Sequence, residues 1–241
     1  MLQKSFLHIN APKCEKGTGL TEENGNAVSP IAAILIIVAT FFFTLFAGGI
    51  VLFMFGYGAS IIGGEILLTL LPLAYMVQRR VNIPKYVKID ASSKSIILGI
   101  VLGVCAVFAN VVVTTSLVLI LGESEAIQQT NKLIVDMSSS MEGLAAVIIS
   151  LCLAGICEEF VFRGFLQNAI NSRYSFKTAL IVSSLAFAFF HFDPEAVYMI
   201  SAFAMGLLLG YIYHHWRSYT VAAVTHASLN LIALALTLLI P

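Results

Sequence analysis

The stretch LAAVIISLCLAGICEEFVFRGFLQNAI, residues 144–170, decides the fold. It is longer than the ~20 predominantly apolar residues that a helix needs to cross a bilayer. It nevertheless contains two adjacent acids and a base, Glu158, Glu159 and Arg163. An ionisable side chain at membrane depth costs roughly 2.5–3.5 kcal/mol on insertion scales, so it usually faces a partner or a polar cavity. The stretch therefore predicts a membrane helix with a functional face.

The composition of the whole chain supports this interpretation. The 241 residues are 59% hydrophobic and only 11% charged, and the mean hydropathy is +0.94, whereas a soluble domain is roughly 45–50% apolar. The 13 basic and 13 acidic residues cancel, so no net field would attract nucleic acid. We expect an all-α, polytopic transmembrane helical bundle with no nucleic-acid partner.

Seven apolar segments are long enough, or nearly long enough, to span a bilayer. They lie at about 30–56, 59–78, 96–121, 143–170, 177–192, 195–215 and 219–240. The fifth is short, because ~16 residues at 1.5 Å each extend over only about 24 Å of a ~30 Å hydrocarbon core. Pro194 is predicted to begin the sixth helix with almost no loop. His191 would then lie beside a tight hairpin tip.

Lysine and arginine are unevenly distributed between the two sides of the predicted bundle. If the N-terminus is inside, the cytoplasmic parts contain 11 of the 13 basic residues, Lys132 lies in an outer loop and Arg163 lies within a span. Basic residues collect on the cytoplasmic side of membrane proteins. The distribution predicts a cytoplasmic N-terminus and supports the seven-span count.

The polar N-terminal segment 1–27 lacks the apolar core of a signal peptide, so we expect a flexible cytoplasmic tail. The four cysteines, Cys14, Cys105, Cys152 and Cys157, show no CxxC pairing and no metal-ligand spacing. They are predicted to be free thiols packed among apolar groups.

The acid pair within the fourth span has two different predicted environments. Glu159 and Arg163 are four residues apart on one helical face, which favours an ion pair. Glu158 points about 100° away around the helix and is left for another role. The alternative is a structural charge cluster that locks two helices together.

His226 and Asn230, in HASLN, are also four apart and share a helical face. At 1.5 Å per residue from the cytoplasmic helix ends, Glu158, His191 and Asn230 lie at about 17–21 Å and His226 at about 11 Å. A carboxylate with a histidine can take a proton from water, and a histidine with an asparagine can stabilise an oxyanion. The same side chains could bind zinc, although no HExxH helix is present.

Other polar features have simpler interpretations. Glu65 and Asn110 are isolated within apolar segments, and a structural hydrogen bond is the expectation for each. The outer loop at 122–142 is predicted to be a solvated amphipathic stretch rather than a gate. His214, His215 and Trp216 lie at the predicted cytoplasmic interface, where amphipathic rings collect.

Four motifs together resemble one family. EEFVFR (158–163) matches EExxxR, FAFFH (187–191) matches FxxxH, FAMGLLLG (203–210) matches FxxGxxxG, and HASLN (226–230) matches HxxxN. Their order and spacing are similar to those of the CPBP or Abi family of CAAX-prenyl endopeptidases and bacteriocin-processing intramembrane proteases. The resemblance covers about 143–240 and implies a four-helix catalytic core at 143–241, preceded by transmembrane helices and loops at 28–142.

The resemblance also implies roles for individual residues. Glu158 would activate water with His191, Glu159 and Arg163 would support it, and His226 with Asn230 would stabilise the oxyanion. The family's metal-free mechanism needs no cofactor; the alternative is zinc held by Glu158, His191 and His226. Gly206 and Gly210 would allow close helix packing, with Phe187 beneath the site.

Three functions remain open at this point. The first is an intramembrane endopeptidase in a prokaryotic plasma membrane that acts on a membrane-associated peptide or lipidated protein, with a role in bacteriocin immunity or peptide maturation. The second is a proton- or ion-coupled transporter that uses the buried acids and histidines as a relay. The third is a non-catalytic immunity or partner-binding membrane protein.

Overall fold

The computed structural model describes residues 28–239, so the predicted tail at 1–27 lies outside the described residues. Within that range all regular structure is helical, as predicted. The elements are α1 (Pro30–Gln78), α2 (Ile83–Val87), α3 (Ser93–Leu121), α4 (Glu125–Ser138), α5 (Met141–Glu159), a π-helical segment (Phe160–Gln167), α6 (Asn168–Asn171), α7 (Phe176–Phe190), α8 (Val197–Trp216) and α9 (Tyr219–Leu239).

Helix α1 is two antiparallel helices joined at Gly56. This glycine has φ 80° and ψ −177°, which interrupts the helix, and a left-handed φ favours glycine because it has no Cβ. A Cβ placed on Gly63 would lie 3.4 Å from Val51 Cγ1, although 12 residues of continuous helix would extend over ~18 Å. The chain therefore folds back, and the halves 30–55 and 57–78 correspond to the first two predicted spans.

The predicted number of spans agrees with this architecture. Among the described residues, five helices are long and apolar enough to cross a membrane by length and composition, with α1 counted as one, and the apolar helix Phe176–Phe190 is shorter. When the halves of α1 are counted separately and α7 is included, seven apolar segments result. The chain is an integral membrane protein.

The fourth predicted span is continuous but not uniformly α-helical. Helix α5 begins at the N-cap Ser140, whose side chain accepts a hydrogen bond from the backbone N–H of Gly143, and it runs to Glu159. The π-helical segment Phe160–Gln167 follows without a break and leads into α6. Insertions of π-helix occur mostly as short bulges, frequently at functional sites.

Several helix ends meet at one end of the bundle, here termed the basic end because Arg79, Lys88, Arg173 and Arg217 lie there. The Asn168 amide nitrogen lies 2.9 Å from Tyr86 O and 2.6 Å from Tyr213 Oη. The backbone N–H of Tyr219 donates to Lys88 O at 3.0 Å. These bonds hold α6, α8 and the start of α9 against α2.

The other end of the bundle, termed the opposite end, differs from the prediction at Pro194. Helix α8 begins at Val197 rather than at Pro194, and a turn separates it from α7. Asp193 is 2% exposed and accepts hydrogen bonds from the backbone N–H groups of Glu195 at 3.2 Å and Tyr198 at 2.8 Å. The carboxylate, and not the proline ring, therefore organises the start of α8.

Helix α9 is packed closely against its two neighbours because small residues face it. A Cβ on Gly103 of α3 would lie 2.5 Å from Ser228 Cβ, and a Cβ on Gly155 of α5 would lie 2.6 Å from Ala227 N. Real Cβ contacts are not that short, so these glycines permit the backbone approach. The register of α9, which includes His226, is fixed by this packing.

Gly206 and Gly210 have the packing role predicted for them. A Cβ on Gly206 would lie 3.0 Å from Ser184 Cβ, and a Cβ on Gly210 would lie 2.6 Å from Leu180 Cδ1. Both neighbours belong to α7. The two glycines thus allow α8 to approach α7.

The described cysteines are free, in agreement with the prediction. Cys157 is buried and Cys152 is partly buried, but Cys105 is exposed, so the predicted packing is wrong for Cys105. Cys14 lies outside the described residues.

Candidate active site

Two consecutive acids end α5, and they point into different surroundings. Glu159 is fully buried, at 0% exposure, whereas the Glu158 side chain is 13% exposed. The π-helical segment begins at the next residue. The difference in exposure separates a carboxylate that is enclosed by protein from one that a small molecule can reach.

Glu159 and Arg163 form the predicted ion pair. Arg163 Nη1 lies 2.9 Å from Glu159 Oε1, and both side chains are completely buried. Arg163 Nη2 donates to Gly206 O at 3.1 Å, and its guanidinium carbon lies 4.5 Å from the centre of the Phe187 ring. A buried charge is tolerated when it is paired and hydrogen-bonded, and here the pair joins the π-helical segment to α8.

Glu158 lies between two imidazole rings. Glu158 Oε1 is 3.9 Å from His191 Nε2, and Glu158 Oε2 is 3.7 Å from His226 Nε2. Direct N–H···O hydrogen bonds are 2.7–3.2 Å long, so both gaps are too wide for one. Polar groups at such a separation are often bridged by water, and the arrangement offers a bound water three polar partners.

The other ring nitrogens determine how the two histidines are oriented. His191 Nδ1 lies 2.8 Å from Phe187 O, and since a carbonyl only accepts, this nitrogen carries a proton. His226 Nδ1 lies 3.0 Å from Glu159 Oε1, a carboxylate oxygen that likewise accepts. Both histidines therefore direct Nε2 towards Glu158. Phe187 also packs beneath the site as predicted, with ring centroids 4.5 Å and 5.8 Å from those of His191 and His226.

Asn230 lies one turn beyond His226 on α9, so the depth estimate, which placed Asn230 and not His226 level with Glu158, was wrong. Its amide nitrogen lies 3.4 Å from Leu151 O, about two turns before Glu158 on α5, whereas His226 is the residue that reaches Glu158. The estimate measured depth from the start of each segment, but α9 starts deep: Tyr219 Oη donates to Ile156 O at 2.7 Å. Helix ends are therefore poor depth markers here.

Glu65 lies near Glu158, which the sequence interpretation missed. The second half of α1 runs beside α5: a Cβ on Gly58 would lie 3.6 Å from Ala146 Cβ, and Ser150 Oγ donates to Ile61 O at 3.2 Å. One turn further on, Glu65 interacts electrostatically with Glu158, and its Oε2 has no hydrogen-bond partner. The sequence signal was an acid within an apolar segment, but the sequence did not show that this acid lies near Glu158.

Tyr198 is a second residue that sequence reasoning missed. Its ring centroid lies 5.3 Å from that of His191 in an edge-on arrangement. It belongs to the first turn of α8, which Asp193 holds in place. No sequence motif includes this tyrosine, because the turn at 191–196 determines its position.

The residues proposed as zinc ligands do not converge on one point. Among residues 28–239, no group of three or more His, Cys, Asp or Glu is placed to hold a metal ion. Zinc–ligand bonds of about 2.0–2.2 Å would bring tetrahedral ligand atoms to roughly 3.4 Å from one another. The separations of 3.9 Å and 3.7 Å about Glu158 are wider. The metal-free mechanism stays a prediction.

Comparison with known proteins identifies one region of the chain. Residues 140–232 match the family model described as type II CAAX prenyl endopeptidase Rce1-like. This range includes Glu158, Glu159, Arg163, His191, His226 and Asn230, and it confirms the family resemblance predicted from the four motifs. No curated protein and no solved structure matches the chain.

Proposed function

We propose that this chain, whose residues 140–232 match the Rce1-like type II CAAX prenyl endopeptidase model, is an intramembrane endopeptidase that hydrolyses a peptide bond in a membrane-associated peptide or lipidated protein. The observation that supports this best is the Glu158 carboxylate between two imidazole Nε2 atoms, at 3.9 Å and 3.7 Å. A partly exposed carboxylate with a water-sized gap is the arrangement that general-base hydrolysis requires.

The first step of the proposed reaction is attack by water. Glu158 accepts one proton from a water molecule held between it and His191, while the water oxygen bonds to the carbonyl carbon of the substrate. His191 Nδ1 is occupied by Phe187 O, so the ring cannot turn, and Nε2 stays directed at the water. The resulting tetrahedral intermediate collapses when Glu158 returns the proton to the leaving amine nitrogen, which breaks the C–N bond.

His226 and Asn230 would stabilise the oxyanion of that intermediate. His226 Nδ1 donates to Glu159 Oε1 at 3.0 Å, and Arg163 pairs with the same carboxylate, so the ring is held with Nε2 towards Glu158. The ring donates to the oxyanion from Nε2 once that nitrogen also carries a proton. The Asn230 amide has a second N–H besides the one directed at Leu151 O, and preorganised donors of this kind contribute several kcal/mol to acyl transfer.

The cellular setting follows the sequence-based predictions. The uneven distribution of lysine and arginine favours a cytoplasmic N-terminus, and we propose a prokaryotic plasma membrane. Bacteriocin immunity and maturation of a secreted or signalling peptide are the roles that fit such an enzyme.

The test is cleavage of a panel of lipidated and hydrophobic peptides by purified protein, with and without a chelator. Wild type should cleave at least one peptide, and Glu158→Ala should not. Glu142→Ala is the matched control, because Glu142 is an exposed acid on the same helix, α5. Activity that survives in Glu158→Ala would contradict the assignment of the base. Loss of activity on chelation, with rescue by zinc, would replace the metal-free mechanism.

A proton-coupled transporter is the second candidate. It is favoured by Glu65 and Glu158, which lie within predicted spans and each have a carboxylate oxygen without a hydrogen-bond partner, since such acids occur in proton relays. Proton-coupled flux in liposomes that disappears in Glu158→Gln would support it. A non-catalytic immunity protein would instead keep its phenotype in both Glu158→Ala and His191→Ala.

A further inference from the structure

A cavity lined by uncharged side chains lies at the opposite end of the bundle, between α3, α4, α8 and α9. Its volume is about 280 Å³, and of the ten residues that line it seven are polar and none is charged. Polar side chains are costly where helices face lipid, so their collection around this cavity points to a binding role.

Part of the hydrogen-bonding capacity in this cavity is unused. Ser201 Oγ lies 3.0 Å from Thr114 Oγ1 and 3.4 Å from Asn110 Oδ1, so one corner is satisfied by protein. Thr130 and Asn131 also line the cavity, and over the described range 28–239 their side chains make no hydrogen bond. These hydroxyl and amide groups can pair with a bound molecule.

The cavity continues the candidate active site along α9. His226, Asn230, Ala233 and Thr237 follow one another at spacings of four, three and four, so they form one stripe on a helix of 3.6 residues per turn. The last two line the cavity. Asn230 and Thr237 are ~10 Å apart along the helix axis, which is about the length of three residues of an extended peptide.

Tyr198 connects the two regions from the other side. It lines the cavity, and its ring centroid lies 5.3 Å from that of His191. Ser201, one turn further along α8, lines the cavity as well. A peptide lying along the stripe of α9 would therefore pass Tyr198 before it reaches the water-binding gap at Glu158.

Helix α4 covers the cavity and buries little of its surface against the rest of the bundle. Ile127, Thr130, Asn131 and Ile134 line the cavity and lie on one helical face, and no residue of α4 is buried. Ser124, immediately before the helix, donates to Asp193 at 3.3 Å. The acidic outer stretch is thus an amphipathic helix, as predicted, and its less polar face is turned inwards.

We propose that this cavity is the subsite that binds about three residues of an extended, uncharged peptide on one side of the scissile bond. Neutral amide and hydroxyl groups suit the alternating N–H and C=O groups of an extended backbone, and the absence of charged lining residues disfavours charged side chains. The inference rests on the proposed function, because the stripe of α9 assigns a peptide guest only if His226 and Asn230 act on a peptide bond.

The first test fills the cavity. Ala233→Phe places a ring in the cavity, whereas Ala235→Phe, on the same helix, adds the same ring at an exposed position. With the peptide that wild type cleaves best, Ala233→Phe should raise KM about tenfold, equivalent to ~1.4 kcal/mol, and Ala235→Phe should not. Peptides shortened at the end bound in the cavity should be cleaved equally poorly by wild type and Ala233→Phe. Equal KM values for Ala233→Phe and wild type would overturn the proposal.

A second pair of variants covers the case in which Ala233→Phe does not fold. Asn131→Leu removes a free amide facing the cavity, and Gln129→Leu makes the same change two residues away; both residues are exposed on α4. Only Asn131→Leu should raise KM, with kcat nearly unchanged. If KM rose equally in both variants, the loss of any polar side chain from α4 would be the cause. That result would overturn the subsite.

The final test does not depend on cleavage. A peptide from the panel with a photoreactive benzophenone side chain is crosslinked to Glu158→Gln, and mass spectrometry locates the attachment. Attachment to α4 or to residues 233–237 of α9 supports the subsite, and attachment elsewhere overturns it. If wild type cleaves no peptide, the proposed protease fails on that result, while the crosslink still decides whether a peptide occupies the cavity.

Discussion

Two polar clusters inside this apolar bundle differ in how completely their groups are bonded. At the basic end, the Asn168 amide nitrogen has oxygens of Tyr86, Gly164 and Tyr213 at 2.9, 3.0 and 2.6 Å. In the candidate active site, the contacts of Glu158 are 3.9 Å and 3.7 Å long, and its Oε2 has no hydrogen-bond partner.

The difference separates polar groups that stabilise from those that react. A satisfied buried network rigidifies a fold, whereas a buried acceptor without a partner costs roughly 1–3 kcal/mol. At Glu158 this cost is explained if a bound water and the substrate supply the missing hydrogen bonds. Glu159 and Arg163 share features of both clusters, because they are paired yet support a reactive neighbour.

The largest expected effect is that of Glu158→Gln on cleavage. Loss of the general base should lower kcat by about 10²–10⁴-fold. The thermal midpoint in detergent should stay the same or rise, because a neutral amide is less costly to bury than an unpartnered carboxylate. A marked fall in the thermal midpoint would instead mean that Glu158 stabilises the fold.

Arg163→Met should have the largest effect on stability. It leaves Glu159 as an uncompensated buried charge, and breaking a buried pair in this way costs about 3–5 kcal/mol. Denaturant unfolding in detergent measures the loss, with the exposed Arg173→Met as control. Partial recovery in the double variant Arg163→Met/Glu159→Gln would show that the lost pairing, and not the lost volume, is the cause.

Asn168→Leu should destabilise the protein without affecting the chemistry. The oxygens of Tyr86, Gly164 and Tyr213 lose the two N–H donors that they share, which should cost about 1–3 kcal/mol. The value of kcat should match that of wild type at a temperature where both proteins are folded. A large fall in kcat would mean that the two clusters are coupled.

The smallest expected effect is at Asp90, in the loop before α3. Ser95 Oγ donates to its carboxylate at 2.5 Å, and this bond holds the pKa of Asp90 below its usual value, with further help from Ser92. A depressed folded pKa stabilises the fold above the unfolded pKa, and this contribution is lost as pH falls through the folded value. Asp90→Asn should therefore lower the thermal midpoint slightly near pH 7 and not at strongly acid pH. Asp136→Asn, at an exposed position on α4, is the control.

The sequence predicted the spans and the motif residues well, because both depend on local signals. Apolar length identified seven segments, including the two halves of α1, and the i, i+4 spacing of Glu159 and Arg163 correctly predicted their ion pair. The structure also brings His191 and His226 to Glu158, although their catalytic roles stay predictions.

The features that the sequence did not predict share a physical cause, because each depends on how the helices pack against one another. The proximity of Glu65 to Glu158 results from the close fit of α1 beside α5, and the level of His226 results from glycine-mediated packing of α9. The position of Tyr198 depends on the bonds that Asp193 makes. The π-helical segment is marked by no proline or glycine pair, so no local rule predicts it.

Because the chain reverses at Gly56, the helix that carries Glu65 crosses the membrane as part of the first hairpin, before α5 is synthesised. Ile61 and Ser150, which join the two helices beside the site, are 89 residues apart, and ribosomes add 5–20 residues per second. Glu65 therefore enters the membrane roughly 5–18 s before α5 exists to face it. During synthesis, the apolar residues of the folded-back pair have to offset the insertion cost of that acid, so the first hairpin must be able to enter the bilayer unaided.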